Sequence, residues 1–274
     1  MTQTQPQPGP IRSPIGVFDS GIGGLTVLRA LLDQLPCENY LYLGDTAKVP
    51  YGNKSPSTIT RFAHENTLFL LQRGVKAVVV ACNTVSATCL DQLTLHFRAP
   101  IVGVIEPAVQ EALRKTRTGQ IGVIGTAGTI ATRAYDRAVH RIDPGIRVVS
   151  VACPLFVPIV ESDFVDHDAT ALVVREYLEP VKNAGVDTLI LACTHYPLIK
   201  RQISAFLGPE VTLVDSGPAT AAALSAILRR DGALSDGTGP STLCYCLTDS
   251  HPQFRQIGER VLGRQVHDVE VITL

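Results

Sequence analysis

Short, continuously apolar runs alternate with longer segments along most of the chain. The first four runs occupy residues 15–18, 40–43, 77–81 and 101–105. The segments between them, such as 25–35 and 56–72, are long enough for helices. Uninterrupted apolar runs of this length are typical of strands that are buried on both faces of a parallel sheet. The alternation therefore predicts an α/β fold.

The same pattern begins again from residue 121 onward. Four pairs of segments match in the same order, at offsets of 106 to 111 residues: 15–20 with 121–126, 49–50 with 157–158, 74–82 with 185–193, and 107–108 with 218–219. Unrelated strand–helix units also share glycine and aliphatic residues at their strand starts, which is the alternative explanation. However, Ala-Cys closes both members of the third pair, at Cys82 and Cys193. We therefore predict two pseudo-symmetric lobes, each a mainly parallel sheet flanked by helices.

The two ends of the chain lie outside this repeat. Residues 1–13 are rich in Pro and Gln and contain almost no apolar side chains, so they predict a disordered tail. Beyond residue 220 the sequence predicts a helix over 221–230 and strands over 241–248 and 269–274. We expect this C-terminal extension to pack back on one lobe.

Charge and composition argue against several classes of function. The 274 residues carry a formal net charge of −1 and contain no run of Lys and Arg, so nucleic acid is not an expected partner. The N-terminus lacks the apolar core of a signal peptide, and no stretch of about 18 apolar residues could cross a membrane. Seven scattered cysteines, an odd number, favour free thiols. We expect a soluble, cytoplasmic protein without membrane attachment.

Polar residues follow the predicted strands at equivalent places in both lobes. They are Asp19 and Ser20 after the first strand, Cys82, Asn83 and Thr84 after the third, and Thr126, Cys193, Thr194 and His195 at the matching places in the second lobe. In open α/β sheets, ligands bind beyond the carboxyl ends of the strands. If the two sets of strand ends face each other, Cys82 and Cys193 line one interlobe cleft from opposite sides.

Two opposed thiols suggest a particular reaction. A thiolate is a base, and its pKa, normally about 8.5, is lowered by a helix N-terminus or a neighbouring cation. Both cysteines directly precede predicted helix starts. One sulfur could remove a proton from one face of a carbon acid while the other delivers a proton to the opposite face. The pattern predicts a racemase that uses no cofactor, with Asp19 and His195 each tuning one cysteine.

Neutral hydrogen-bonding groups dominate the predicted cleft. They belong to Ser20, Asn83, Thr84, Thr126, Thr129 and Thr194. Such groups, together with backbone N–H groups at helix starts, suit carboxylates. No Arg belongs to these motifs. We therefore expect a small amino acid or dicarboxylate that is held mainly by neutral donors.

Other interpretations of single motifs remain open. Residues 19–24 superficially suggest a dinucleotide-binding loop, with Asp45 as the ribose-binding acid, but they do not fit G-x-G-x-x-G. A single buried cysteine is more often a small hydrophobic residue than a catalyst. Cys244 and Cys246 lack the spacing of a zinc site, and we assign no metal. Glu161 either reaches the cleft or caps the turn before Asp163.

Taken together, these motifs resemble those of the glutamate racemases of the aspartate/glutamate racemase superfamily. The resemblance is carried, in order, by 15–25, 44–46 with 50–52, 81–84, 154–158 and 193–198. It implies interconversion of L- and D-glutamate without pyridoxal phosphate, which supplies D-glutamate for cell-wall peptidoglycan. It also implies a homodimer and a C-terminal segment that returns to the first lobe. The lobes would then comprise 14–105 with 218–274, and 106–217.

The resemblance also implies roles for individual residues. Cys82, assisted by Asp19, would act on D-glutamate, and Cys193, assisted by His195, would act on L-glutamate. The implied substrate contacts are Asp19, Ser20, Tyr51, Gly52, Asn83, Thr84, Thr194 and His195, to which we add Thr126 and Glu161 as candidates from the cleft. The sequence departs from the family pattern after about residue 220.

Three competing functions remain. A racemase for aspartate or another small amino acid would use the same thiol pair, because the pair itself does not distinguish side-chain length. A two-lobed protein that only binds a small anion would need the cleft but no proton transfer. A thiol hydrolase or decarboxylase would need one of the two cysteines.

Overall fold

The computed structural model describes residues 11–237 and 241–274. The strands are β1 Ile15–Asp19, β2 Tyr40–Gly44, β3 Ala77–Val80, β4 Ile101–Gly103, β5 Gln120–Gly125, β6 Arg147–Ala152, β7 Thr188–Ala192, β8 Thr212–Asp215, β9 Leu243–Leu247 and β10 Val269–Val271. The α-helices are α1 Leu25–Gln34, α2 Pro56–Gln72, α3 Asn83–His96, α4 Ile105–Lys115, α5 Ala127–Ala131, α6 Ala134–Ile142, α7 Phe156–Glu161, α8 Asp168–Asn183, α9 Lys200–Leu207, α10 Ser216–Arg230 and α11 Phe254–Leu262. Short 3₁₀ helices occupy Tyr51–Asn53 and Tyr196–Ile199.

The strands form two parallel sheets, which confirms the predicted α/β class and the repeat. The first sheet has the order β10-β9-β2-β1-β3-β4, and the second has the order β6-β5-β7-β8. The four strands β2-β1-β3-β4 therefore correspond one for one to β6-β5-β7-β8. Every strand pair in both sheets is parallel. The second lobe repeats the topology of the first.

Burial on both faces explains why the central strands are continuously apolar. In β1, Ile15 and Val17 pack in one apolar layer, whereas Phe18 packs in the layer on the opposite face. Helices α1, α10 and α11 supply side chains to the first layer, and α2 and α3 supply side chains to the second. The helices cover the apolar residues on both faces of the sheet and remove them from water. This burial is the main stabilising contribution here.

The C-terminal extension adds two strands to the edge of the first sheet. β9 pairs with β2, and β10 pairs with β9. Both strands fall within the ranges expected from the sequence, whereas α11 between them was not anticipated. Helix α10 begins earlier than predicted, because the Asp215 carboxylate accepts a hydrogen bond from the Gly217 N–H at 2.9 Å and caps it.

A buried ion pair connects this extension to the first lobe. Lys76 Nζ lies 2.5 Å from Glu38 Oε2, and both side chains are almost fully buried. Lys76 also donates to the carbonyls of Ile11 and Ala233, while Glu38 accepts from the Ser235 N–H. Residues 11–13 belong to the predicted disordered tail, but Ile11 contacts the fold through Lys76. Residues 1–10 lie outside the described residues. Within the described chain, no helix is both long and apolar enough to cross a membrane.

Candidate active site

A small cavity lies between the two sheets, at the carboxyl ends of their strands. Its lining consists of Ser20, Val49, Pro50, Tyr51, Gly52, Cys82, Asn83, Thr84, Thr126, Val157, Cys193, Thr194 and His195. Among the residues predicted for the cleft, Asp19, Thr129 and Glu161 are not part of this lining. They contact lining residues from behind.

The two thiols reach the cavity from different sheets. Cys82 follows β3 and is the N-cap residue of α3, as the sequence suggested. Cys193 follows β7, but here the predicted helix start is wrong: a turn intervenes, and the short 3₁₀ helix begins only at Tyr196. Both cysteines are buried, at 4% and 6% exposure, and both are free thiols. One small molecule in this cavity could therefore touch both sulfurs.

The environment of Cys82 favours its neutral thiol. Burial and then the negative charge of Asp19 raise the pKa of Cys82 to about 12. The hydrogen bond from the Val85 N–H and the contact with Ser20, in which the Cys82 thiol donates to Ser20 Oγ at 3.8 Å, lower the pKa of Cys82. The balance leaves Cys82 as a proton donor at neutral pH.

Cys193 instead faces a cation. His195 Nδ1 lies 3.9 Å from the Cys193 sulfur, and His195 Nε2 lies 3.1 Å from Glu161 Oε1. Burial disfavours the imidazolium, but the hydrogen bonds and charges of Cys193 and Glu161 outweigh it and raise the pKa of His195 to about 10. For Glu161, burial is likewise outweighed by His195, which lowers the pKa of that carboxyl. The chain Glu161–His195–Cys193 places a charged imidazolium beside one sulfur.

Asp19 links the first lobe to Thr194 and His195 of the second lobe. Its carboxylate accepts hydrogen bonds from the Gly21 N–H at 3.1 Å and from Thr194 Oγ1 at 3.3 Å. Burial raises the pKa of Asp19, and the charge of His195 opposes this. A Cβ atom at Gly23 would lie 2.4 Å from both His195 Nδ1 and Thr194 Oγ1. Glycine at this position therefore allows the close approach between the lobes.

Hydroxyl groups from both lobes meet on another side of the cavity. Thr84 Oγ1 lies 3.0 Å from Thr126 Oγ1 and 3.2 Å from Thr129 Oγ1. Next to Thr84, the amide oxygen of Asn83 accepts a hydrogen bond from Tyr135 OH at 2.6 Å. These contacts join helix α3 of the first lobe to α5 and α6 of the second.

A buried network fixes the segment that carries Tyr51 and Gly52. Tyr51 OH donates a short hydrogen bond to Asp45 Oδ2 and accepts one from the Asn66 amide at 3.1 Å. The other oxygen of Asp45 accepts from Thr248 Oγ1 at 2.7 Å, so the C-terminal extension supports the site. Asp45 thus holds Tyr51, which gives this carboxylate a different setting from the ribose-binding position considered above.

The cavity lining contains no Arg or Lys side chain among the described residues. Its polar groups are hydroxyls, amides, thiols and one imidazole. A carboxylate bound here would therefore meet neutral donors and the His195 cation. Chemically, the arrangement offers a proton donor on one side, a sulfur beside a cation on the other, and hydrogen bonds for an anion between them.

Sequence reasoning missed several residues that shape this site. Tyr135 is the second residue of α6 and has no motif around it. Thr26 donates to the Thr194 carbonyl at 2.9 Å, but its sequence context is that of an ordinary helical residue. Val49, Pro50 and Val157 belong to the segments that repeat between the lobes. That repetition was the available signal for their place in the lining.

Comparison with known proteins identifies the family. The family model described as Asp/Glu/Hydantoin racemase matches residues 15–224, which is most of the chain. The chain belongs to this racemase family.

Individual members of the family match this chain over nearly their whole length. A glutamate racemase from Geobacter metallireducens is 48% identical over 95% of this chain and 96% of its own. Among solved structures, a glutamate racemase isoform from Bacillus anthracis superposes with a TM-score of 0.92 at 41% identity, covering 96% of this chain and 98% of its own. A Francisella tularensis glutamate racemase in complex with D-glutamate gives 0.90 at 38% identity and the same coverage.

Proposed function

We propose that this protein is a glutamate racemase that interconverts L- and D-glutamate by two-base proton transfer between Cys82 and Cys193, without a cofactor. The observation that carries the proposal is that these two sulfurs, from different sheets, line one small cavity. The family membership supports the reaction type. Relatives named glutamate racemase at 42–48% identity favour glutamate over aspartate as the substrate.

In the direction from L-glutamate, the Cys193 thiolate removes the proton from Cα. The Cα–H bond breaks, the proton passes to the Cys193 sulfur, and the electron pair remains on Cα and its carboxylate. Cys82 then donates its thiol proton to the opposite face, so that D-glutamate forms and Cys82 is left as the thiolate. The reverse reaction starts from that state. Each sulfur is a base in one direction and an acid in the other.

The electrostatics of the site fit the start of the reaction from L-glutamate. Cys82 holds its proton, because burial and Asp19 raise its pKa to about 12. The charged His195 beside Cys193 stabilises a negative charge there, and Glu161 in turn stabilises the imidazolium. Asp19 and His195 would therefore assist Cys82 and Cys193 respectively.

Substrate binding is assigned to the neutral groups around the cavity. Ser20, Asn83, Thr84, Thr126 and Thr194 would donate hydrogen bonds to the carboxylates. Tyr51 and Gly52 form another part of the wall, and Gly52 approaches Thr126 so closely that a Cβ atom would lie 2.8 Å from Thr126 Cβ. Asp19 and Glu161 would act through Thr194 and His195 instead of touching substrate.

We extend the proposal to the protein's setting. It would act as a cytoplasmic homodimer that supplies D-glutamate for peptidoglycan. The lobes would be 14–105 with 218–274, and 106–217, in keeping with β9 and β10 joining the first sheet. Light scattering coupled to gel filtration tests the dimer: a mass near 59 kDa, twice the 29.4 kDa of the chain, is expected, and a monomer mass contradicts it.

The test of the function is racemisation followed by circular dichroism, starting from L-glutamate, D-glutamate and both aspartate enantiomers. Glutamate should racemise, and in deuterium oxide the product should carry deuterium at Cα. A protein that only binds an anion would show no deuterium incorporation. Faster turnover of aspartate would favour the related racemase.

The two-base assignment is tested by Cys82→Ser and Cys193→Ser. General acid–base catalysis typically contributes about 10²–10⁴ in rate, so each variant should lose at least about a hundredfold in kcat. Cys89→Ser is the matched control, because Cys89 is also buried in α3 but is not among the cavity-lining residues. If either test variant keeps more than about a tenth of wild-type activity, the two-base assignment is wrong.

A further inference from the structure

The hydrogen bond between Tyr135 and Asn83 crosses from one lobe to the other. Tyr135 belongs to α6, and Asn83 is the first residue of α3, directly after Cys82. Tyr135 OH donates to Asn83 Oδ1 at 2.6 Å, and the exposed fractions of the two residues are only 2% and 3%. A buried tyrosine hydroxyl normally has such a partner.

This contact determines which end of the amide is engaged. Burial raises the pKa of Tyr135, so its hydroxyl keeps its proton and can donate. The amide oxygen of Asn83 is therefore occupied. In contrast, Asn83 Nδ2 is buried and has no hydrogen-bond partner among the described residues. If the amide were rotated, Nδ2 would donate to Tyr135 and the hydroxyl proton would lose this acceptor.

The unpartnered NH₂ group belongs to a residue that lines the cavity. Leaving a buried donor without a partner is unfavourable unless a ligand accepts from it. A carboxylate is an acceptor only, so an NH₂ group attracts it while an amide oxygen repels it. The orientation of this one amide therefore decides whether Asn83 helps or hinders an anionic substrate.

We propose that Tyr135 is a positioning residue that fixes the Asn83 amide with its NH₂ group toward the substrate carboxylate. The inference rests on the proposed function, since it assigns the carboxylate of glutamate as the acceptor. Tyr135 itself does not line the cavity and acts through Asn83. Because it comes from the second lobe, it also makes the binding group of the first lobe dependent on the position of the second.

The substitution Tyr135→Phe removes the hydroxyl group alone. Without the donor, both amide orientations become accessible, and we expect the KM for glutamate to rise about tenfold with kcat within about threefold of wild type. Since the equilibrium constant between enantiomers is one, kcat/KM must fall equally for L- and D-glutamate. Tyr40→Phe is the matched control. It also removes a buried hydroxyl, but one that donates to the Leu31 and Leu35 carbonyls.

A double-mutant cycle with Asn83→Ala separates positioning from a general structural effect. If Tyr135 acts through Asn83, adding Tyr135→Phe to Asn83→Ala should change KM by less than about twofold. A further tenfold loss in that background, or an unchanged KM in Tyr135→Phe alone, overturns the inference. Thermal unfolding of every variant identifies any loss that is due to folding, and the cycle is evaluated only among variants that stay folded at the assay temperature.

Calorimetric titration of glutamate into the Cys82→Ser protein, with and without Tyr135→Phe, tests the inference without turnover. A roughly tenfold weaker Kd in the double variant supports it, and an equal Kd contradicts it. If the wild-type protein binds but does not racemise glutamate, the proposed function fails while this comparison still decides the role of Tyr135. If Cys82→Ser and wild-type protein both fail to bind glutamate, both proposals are wrong.

Discussion

Replacing Glu161 by Gln removes one negative charge while keeping the shape of the side chain. In the wild type, Glu161 Oε1 lies 3.1 Å from His195 Nε2, and the pKa of His195 is raised from 6.5 to about 10. Each pKa unit corresponds to about 1.4 kcal/mol, so the folded protein favours the imidazolium by roughly 5 kcal/mol relative to the unfolded chain. Two partners, Cys193 and Glu161, share this stabilisation against the cost of burial.

The substitution removes one of these two partners, so the pKa of His195 should fall below about 10. The assay is an NMR titration of the His195 imidazole in labelled protein, with the resonance assigned by His195→Gln. The same change should move the loss of kcat/KM at high pH from about 10 to a lower pH, equally for both enantiomers. Glu176→Gln is the matched control, because it removes the same charge from an exposed position on α8.

The free energy of unfolding should depend on pH in a direction that the two pKa shifts determine. The His195 pKa is raised on folding, so its contribution is fully present below 6.5 and is lost as the pH rises through about 10. The Glu161 pKa is lowered, so its contribution is present above 4.5 and is lost as the pH falls. The difference in free energy of unfolding between wild type and Glu161→Gln should therefore be largest between about pH 4.5 and 6.5, and it should disappear as the pH rises past about 10. A His195 pKa that is the same in both proteins would refute the reasoning.

Two further predictions concern packing. Gly23→Ala should lower kcat/KM by about a hundredfold, because its Cβ would lie 2.4 Å from His195 Nδ1 and Thr194 Oγ1 and must displace them. Gly145→Ala is the control, since its Cβ meets an Asp143 oxygen at 3.2 Å and nothing in the site; equal activity of the two variants would contradict the steric argument. Lys76→Met should lower the free energy of unfolding in urea by about 3–5 kcal/mol, because it leaves Glu38 charged and buried without its partner. Arg201→Met, which breaks an exposed pair with Asp166, should cost no more than about 1 kcal/mol. Lys76→Met with Glu38→Leu should recover only part of the loss, because backbone groups that the pair contacts lose their partners. A Lys76→Met protein as stable as Arg201→Met would show that the buried pair does not support the fold.

Local sequence patterns determined the class of fold and the central pair of the site. Strands buried on both faces must be apolar throughout, so β1, β2, β3 and β7 can be recognised from single runs of residues. Because the run repeats, each lobe places the residue after its third strand at the same edge of its sheet. That is why Cys82 and Cys193 could be paired before their place in one cavity was known.

The helix predicted directly after Cys193 is wrong, although the same repeat correctly places Cys82 before a helix. By analogy with Cys82, Cys193 should start a helix, yet a turn and a short 3₁₀ helix follow it. The local geometry places Nδ1 of His195 3.9 Å from the Cys193 sulfur. The repeat conserves the position of the strand end, but the residues after it serve different neighbours in the two lobes.

The sequence by itself thus determined the two parallel sheets, their repetition and the sulfur at the end of each third strand. Only the tertiary structure decided which side chains meet. Asp19 contacts Thr194, Glu161 contacts His195, and Tyr135 contacts Asn83, at separations of 175, 34 and 52 residues along the chain. Such contacts depend on how helices and loops from two lobes rotate and pack against each other. No periodicity records that arrangement, because burial patterns specify which face of an element is covered and not which residue covers it.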